Sequence, residues 1–466
     1  MSSSPAQIEV AVLGAGAAGL VAAIRAGQLG AKTLLLEKNR RPGVKILMSG
    51  GTRCNLTNAR GLRNLRVVTG PIDPAYDPRE AKGARSIQAA FGAGGPFLGP
   101  ALKALSVESS VELFEAEGVV TKVEGNGKVF PASDRAVDVV NALVARLERT
   151  GANLRTHAAV RSVEAIASAF CIRLDDATIL AQRVILAVGG QSYPGCGTSG
   201  DGYAIAASFG HTIVPTRPAL VPITLKDEAA WVRELAGLTL PDVVASVVGP
   251  DGKPRLERRE AVLFAHFGLT GPAILDVSRA VARNDANDPL ELALDLLPNV
   301  RPEQLDSQLQ EAARSGRRAV SSLLPPAIPR RLAEAVVRTA GIPSDRTGPD
   351  LSREERRRLV ATCKSLRLPI ASTLGFAKAE VTSGGVALDE VDPRTLQSLR
   401  QPGLYFAGEV LDLDGLIGGY NFQAAWSTGW LAGQSAVASL QASGAGSASS
   451  SSSPPPSAPT SGCSQA

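Results

Sequence analysis

The sequence predicts an α/β protein in which one parallel-sheet domain is split between the two ends of the chain and interrupted by a β-rich and then a helical segment. Three observations predict it. A strand, a glycine-rich turn and a helix open the chain at 8–29 and lead into a second strand. A similar strand, glycine turn and helix recur near the other end, at 404–436. Between them, at 210–297, short apolar runs alternate with polar residues and no strand-helix-strand crossover is visible. The length of 466 residues allows about three domains at roughly 150 residues each. With 44% apolar and 20% charged residues the chain is globular in composition, which excludes collagen-like, coiled-coil and wholly disordered classes. Aromatic residues are only 4%, so the core must come mainly from alanine, leucine and valine.

The elements follow in order. Ile8–Leu13 reads as a short buried strand, and GAGAAG at 14–19 turns it directly into an alanine-rich helix at 20–29. After Gly30, residues 31–37 form a second strand that ends in Glu37, completing a βαβ unit. Residues 40–64 are dense in Gly, Arg, Asn and Thr, as suits a ligand-contacting loop. The segments 83–91 and 99–106 read as short helices, 111–114 and 119–123 as strands, and Ala136–Arg149 as an amphipathic helix. A strand follows Gly151, then a hairpin-like run at 160–180, then a buried strand at 183–188 stopped by Gly189 and Gly190. Within the β-rich region the clearest strands are 243–248, 258–264 and 291–297, and 301–367 reads mainly as helices. The expected domains are therefore 7–198 and 381–440 for the split domain, 199–300 with 369–380 for the β-rich insertion, and 301–368 for the helical subdomain. Residues 441–466, almost entirely Ser, Ala, Gly and Pro, read as a disordered tail in which Cys463 is incidental.

Charge and cysteine usage narrow the partners. The net charge of +5 is the small difference between 49 cationic and 44 anionic residues, and no long block of like charge appears, so no stable nucleic-acid partner is expected. Arg356, Arg357 and Arg358 read as a solvated helix face. The five cysteines show no CxxC spacing, which argues against a disulfide framework or a zinc site, and no metal is expected. The first apolar run enters a glycine turn, so no secretory signal is visible. Charges interrupt the longest apolar stretch after about 15 residues, so a cytoplasmic protein without a membrane partner is expected. Oligomeric state is not readable.

Gly14, Gly16 and Gly19 make GxGxxG between a strand and a helix, where missing side chains permit a tight turn and bring a pyrophosphate against free amides at a helix start. Ala15, Ala17 and Ala18 complete that turn. Glu37 ends the next strand, placed to accept hydrogen bonds from an adenosine ribose. A second glycine loop, GGTRCNLTN at 50–58, and the Gly408-Glu409 and Gly418-Gly419-Tyr420-Asn421 turns suit a cofactor as extended as FAD. The positive end of the last helix would stabilise charge on the pyrimidine edge of a reduced flavin.

These stretches, with KVFPASDRA at 128–136, the glycine-rich run at 189–211, AHFGLTGPAIL at 265–275, VTSGGV at 381–386 and LYFAGEVLDLDGLIGGYNFQAAWSTG at 404–429, resemble the bacterial FAD-dependent oxidoreductases of the aminoacetone-oxidase-like family, which also includes a bile-acid 3-dehydro-Δ4,6 reductase. The resemblance implies a Rossmann-like FAD-binding domain assembled from both chain ends, a β-barrel-like insertion and a small helical portion. It places FAD recognition on Gly14, Gly16, Gly19, Glu37 and Lys38, with Arg53, Cys54 and Asn55 nearby, and flavin contacts on Gly408, Glu409, Gly419, Tyr420 and Asn421. Gly189, in the second glycine-dense stretch, joins the expected cofactor contacts. Thr52 departs from a glycine common at its position, and Ala265 from a threonine.

Three side chains are candidates for chemistry. Cys54 stands in the second glycine loop, where packing against the cofactor competes with a redox role. His266 and Tyr420 are possible proton donors, set against a turn hydrogen bond for the first and FAD positioning for the second. His211 reads as a solvated helix cap, and Trp426 with Trp430, four apart on one helix, as core packing. The expected activity is reduction of a small organic alkene or carbonyl through the flavin N5, with NADH or NADPH as a transient electron donor, since no second GxGxxG appears. The alternatives are a flavin-dependent amine or aminoketone oxidase, and a flavin-dependent nucleic-acid-binding or RNA-modifying protein.

Overall fold

The computed structural model describes residues 8–167, 169–284, 288–314 and 316–449. Strand Ile8–Leu13 pairs in parallel with Thr33–Leu36 on one side and Thr178–Leu186 on the other. Asn153–Arg155 extends the first edge in parallel. Leu404–Phe406 arrives from the far end of the chain to pair in parallel with Thr178–Leu186, and the antiparallel strands Ser162–Ile166 and Ala169–Arg173 complete a seven-stranded sheet. Val10 and Val12 enter one apolar layer while Ala11 and Leu13 enter the other, so the opening strand is buried on both faces. That is why it reads as an apolar run from Val10 to Leu13, with a single charge, Glu9, near its start.

Two helices explain how the halves of this domain hold together. Ala17–Gln28 covers one face of the sheet, and the last helix, Tyr420–Ser449, packs across it. A Cβ on Gly429 would stand 2.2 Å from the Ala18 carbonyl oxygen, and one on Gly433 would stand 2.4 Å from that of Ala22. Small residues on both helices thus let the backbones meet. Trp426 locks the same interface. It is buried, stacked on Phe422, edge-on to Phe114, and donates its indole N–H to the Leu56 carbonyl at 2.9 Å. Trp430 lies under the Arg25 guanidinium, 4.6 Å from the ring centre, so both tryptophans serve packing, as expected.

The β-rich segment closes into a six-stranded barrel of Ile223–Leu225, Gly268–Thr270, Pro254–Ala265, Thr239–Val248, Glu291–Asp295 and Leu366–Thr373. Helices Pro302–Arg314, Arg330–Thr339 and Arg353–Lys364 share one apolar core with it, through residues such as Leu305, Val336 and Leu359. The antiparallel ribbon of Ile213–Ala219 and Val381–Val386 carries the chain between barrel and sheet domain. The expected fold class, a split Rossmann-type domain with an inserted barrel and helices, is the one observed.

Several local expectations differ from the structure. Residues 111–114 lie inside helix Val107–Glu115, whose start is fixed by Ser106 accepting the Ser109 N–H, a cap that β-branched composition alone hides. The stretch 40–64 contains the short helix Val44–Thr52, broken at Gly50 and Gly51 by left-handed backbone. Helix Pro272–Ala282 stands within the segment that reads as all strand. Arg356 is not a solvated group: it bonds Asp306 at 2.7 Å and joins two helices. His211 is buried rather than a solvated cap, with Nε2 2.7 Å from Ser398 Oγ. The last helix runs to Ser449, past the expected start of the tail at 441, and residues 450–466, with Cys463, lie outside the described residues.

Candidate active site

A cavity of about 620 Å³ runs along the C-terminal ends of the central strands. At one end is the GAGAAG turn. Gly14 has a φ of 96°, and a Cβ on Gly19 would stand 1.8 Å from the Gly14 carbonyl oxygen, so helix and turn touch only because both residues lack side chains. Gly16 is different: nothing lies within 4 Å of the place its Cβ would take, and the residue lines the cavity with Ala15, Ala17 and Ala18. The first helix begins here without a side-chain cap, leaving its amides to a ligand. Glu37 is buried beside the turn, Oε2 accepting the Ala15 N–H and Oε1 the Asn39 N–H, each at 2.8 Å. Lys38 bridges to Ser199 at 2.8 Å and Asp201 at 2.5 Å across the Gly189 loop, and Gly189 itself lines the cavity.

The middle of the cavity is held by a network that the sequence did not announce. Lys45 Nζ donates to Glu409 Oε2 and Ser192 Oγ, both at 2.6 Å, and Glu409 Oε1 accepts from Ser192 Oγ at 2.6 Å and from the Thr382 N–H at 2.8 Å. Four separate segments are fixed to one another by these bonds. Arg53 lines the wall, paired with Glu124 at 2.6 Å and Asp134 at 3.4 Å, its guanidinium 4.0 Å from the centre of the Phe130 ring.

The far end is formed by Gly418, Gly419 and Asn421, while Gly408 lines the cavity close to the first turn, where a Cβ would stand 2.8 Å from that of Ala18. Asn55, with its amide oriented to satisfy its neighbours, accepts the Gly419 N–H at 2.9 Å, and a Cβ on Gly419 would stand 2.4 Å from the Thr57 carbonyl oxygen. Asn421 accepts the Gly415 N–H at 2.7 Å and donates back to the Gly415 carbonyl at 3.1 Å, shaping the loop before the last helix. The residues therefore fit FAD: free helix amides and an open Gly16 at one end, an acidic strand end beside them, and a helix start at the other.

The three candidates for chemistry fare differently. Cys54 is fully buried in the apolar layer and does not line the cavity, and loss of water pushes its thiol up to about 12, so its side chain packs in the core rather than facing the cavity. His266 is exposed at the turn between two barrel strands, against Phe267, and lines neither cavity. Tyr420 is buried but faces a second cavity of about 220 Å³ rather than the main one. Burial raises its phenol pKa, against the pull of the Arg60 guanidinium beside it. This second cavity is lined by Asn58, Arg60, Lys128, Arg258, Arg259 and Asp276 among others, and shares Lys128, Pro272, Ile417 and Gly418 with the main cavity. The two adjoin where the flavin end is expected.

Sequence reading missed Lys45, Lys128, Ser192, Tyr193 and Glu380. Tyr193 carried one signal, its place between glycines in GGQSYPGCG, and it has a left-handed φ of 55°. Ser192 precedes it in the same stretch and Lys128 opens KVFPASDRA, whereas Lys45 and Glu380 sit in ordinary sequence; all gain their meaning only from the fold.

Comparison with known proteins agrees with this geometry. The family model described as HI0933-like protein Rossmann domain matches residues 8–69 and 80–435. A ribosomal RNA dihydrouridine synthase of Escherichia coli (strain K12) is 33% identical over 93% of this chain and 98% of its own length. A 3-dehydro-bile acid delta(4,6)-reductase of Clostridium scindens is 32% identical over 92% of this chain and 98% of its own. The crystal structure of a 3-ketosteroid-delta4-(5alpha)-dehydrogenase from Rhodococcus jostii RHA1 superposes with a TM-score of 0.52 at 16% identity, covering 94% of this chain and 98% of that one, a likeness of fold. With the family model spanning nearly every described element and a cavity shaped for the cofactor, the chain belongs to the HI0933-like Rossmann family of FAD-dependent oxidoreductases.

Proposed function

We infer that this protein reduces a carbon–carbon double bond conjugated to a carbonyl group, with NADH or NADPH as the electron donor. Two relatives support the reading through what their names have in common. A dihydrouridine synthase saturates the uracil double bond beside a ring carbonyl, and a 3-dehydro delta(4,6)-reductase saturates double bonds conjugated to a 3-oxo group. The molecules differ and the bond type does not. Such a bond accepts hydride at one carbon and a proton at the carbon next to the carbonyl.

FAD, when bound, supplies the ring that passes hydride. The chain's own residues do the rest. The Lys45–Glu409–Ser192 network fixes the cavity wall. Leu275, Leu413 and Ile417 line the flavin end and keep water out. The observation that carries the reading is the second cavity opening beside that end, where a substrate can lie against the ring.

The lining of that cavity favours an RNA uridine over a steroid. Arg60, Lys128, Arg258 and Arg259 surround it, with Glu260 and Asp276 as the opposing charges, a wall suited to phosphate and base edges rather than to a hydrocarbon. Anaerobic incubation with NADH or NADPH, with ribosomal RNA in one arm and a 3-oxo-4,6-diene bile acid in the other, tests this by mass spectrometry. A gain of two hydrogens on uridine is expected. If neither molecule gains hydrogen while an amine bleaches the flavin, the oxidase reading replaces this one.

A further inference from the structure

Glu380 stands where the chain leaves the barrel for the ribbon strand Val381–Val386. Its backbone is held from two domains: the N–H donates to the Leu220 carbonyl at 3.1 Å, and the carbonyl accepts from Ser192 Oγ at 3.4 Å. The residue lines the main cavity and is exposed. Among the described residues no side chain or amide donates a hydrogen bond to its carboxyl group. Every other carboxylate lining that cavity is engaged: Glu37 by two amides, Asp201 by Lys38, Glu409 by Lys45.

The charged and titratable groups around Glu380 come from four elements. Lys45 approaches from the short helix after the first glycine turn, Lys128 from the strand Lys128–Pro131, Asp276 from the barrel helix, and the Tyr193 phenol from the loop after Gly190. Lys128 and Asp276 also line the second cavity, which adjoins the main cavity where substrate is expected. The residue is exposed, yet it lies within the cavity with protein around it. Separation from bulk water raises its pKa, and the two lysines do not offset it.

We propose that Glu380 is the acid of this site, its carboxyl group giving the proton that completes saturation of the substrate. This rests on the reduction inferred above. The carboxyl O–H bond breaks and a C–H bond forms at the carbon beside the substrate carbonyl. That bond uses the electron pair left on the carbon when hydride, from the reduced flavin, arrives at its neighbour. Glu380 is left as a carboxylate and takes its next proton from water entering the cavity. None of Cys54, His266 and Tyr420 reaches the main cavity, and in this proposal the proton source stands where the chain leaves the inserted domain.

Three holoproteins test it: the wild type, Glu380→Gln and Glu380→Asp. Infrared spectra with isotope-labelled glutamate, followed across pH, report the protonated carboxyl directly and without turnover; its band is expected to persist above the ordinary glutamate range in the wild type and to be absent in E380Q. FAD content and visible spectrum are expected to match in all three. Mixing each reduced enzyme with a conjugated substrate should show E380Q slower by about a hundredfold or more. The wild-type rate should fall as pH rises through the carboxyl's pKa, E380Q should be flat, and E380D should keep the falling limb. An E380Q rate within about twofold of wild type, a wild type without the band, or an E380Q protein that loses FAD would each overturn the proposal. If the wild type shows the band yet reduces no conjugated substrate, the inferred function fails and the proton-bearing carboxyl stands.

Discussion

Which side chains reach the cavity divides the candidates at the scale of single residues. Cys54 looked chemical because it follows a glycine loop, yet its own left-handed φ of 60° turns it into the core. His266 is a candidate proton donor by its chemistry, yet it lies exposed at a barrel turn. Cys54→Ala and His266→Ala are therefore expected to retain FAD and turnover within about twofold. The cysteine variant alone should lose about 1 kcal/mol of stability from the small void it leaves. Absorbance of the purified proteins and a denaturant titration check both. Glycines with backbone duties were legible from sequence because their spacing alone implies the turn. Lys45 and Glu380 were not, since a lysine and a glutamate outside any glycine-rich motif become a site only when segments hundreds of residues apart in sequence converge, and Ser192, though inside the glycine-rich run at 189–211, finds its partners the same way.

For elements, the glycine turn and the closing helix matter most. Gly16 and Gly19 belong to one motif but do different work, and the two Cβ environments separate them. Gly16→Ala is expected to leave the apoprotein as stable as the wild type while weakening FAD binding at least tenfold, because the new methyl stands in the ligand's space. Gly19→Ala is expected to lower the melting temperature of the apoprotein itself, since its methyl would meet the Gly14 carbonyl. Isothermal titration with FAD, alongside thermal melts without it, distinguishes the two; equal effects on both readouts would contradict the assignment. Strands with largely apolar runs were readable, as Ile8–Leu13 shows. The helix Val107–Glu115 was not, because VESSVELF satisfies a strand's composition and only the Ser106 cap and the burial of Val107, Val111 and Phe114 along one face decide it.

At the scale of the whole molecule, the barrel and the FAD domain meet through buried charge. Asp276 on the barrel helix accepts the Ile417 N–H at 2.9 Å, and Arg279 on the same helix pairs with Asp414 at 3.0 Å, both partners lying in the loop before the last helix. Burial pushes the Asp276 carboxyl up to about 6 from an ordinary 3.8. The folded protein then holds a proton there that the unfolded chain releases, so this group's contribution is fully present below pH 3.8 and is lost as pH rises through 6. Asp276→Asn is expected to match the wild type in stability near pH 4 and to exceed it at pH 8, as melting temperatures at the two values would show. The split of the FAD domain was legible because strand–turn–helix patterns stand at both ends. The junction was not, since Asp276, Arg279 and Asp414 lie in unrelated segments and only the fold brings them together. The account as a whole is tested most directly by the visible spectrum of the purified holoprotein, reduced anaerobically with NADH or NADPH and then mixed with a conjugated enone or with uridine-containing RNA. Return of the oxidised flavin spectrum on addition of the unsaturated substrate is expected; a protein without flavin, or a reduced flavin that every conjugated substrate leaves unchanged, would contradict it.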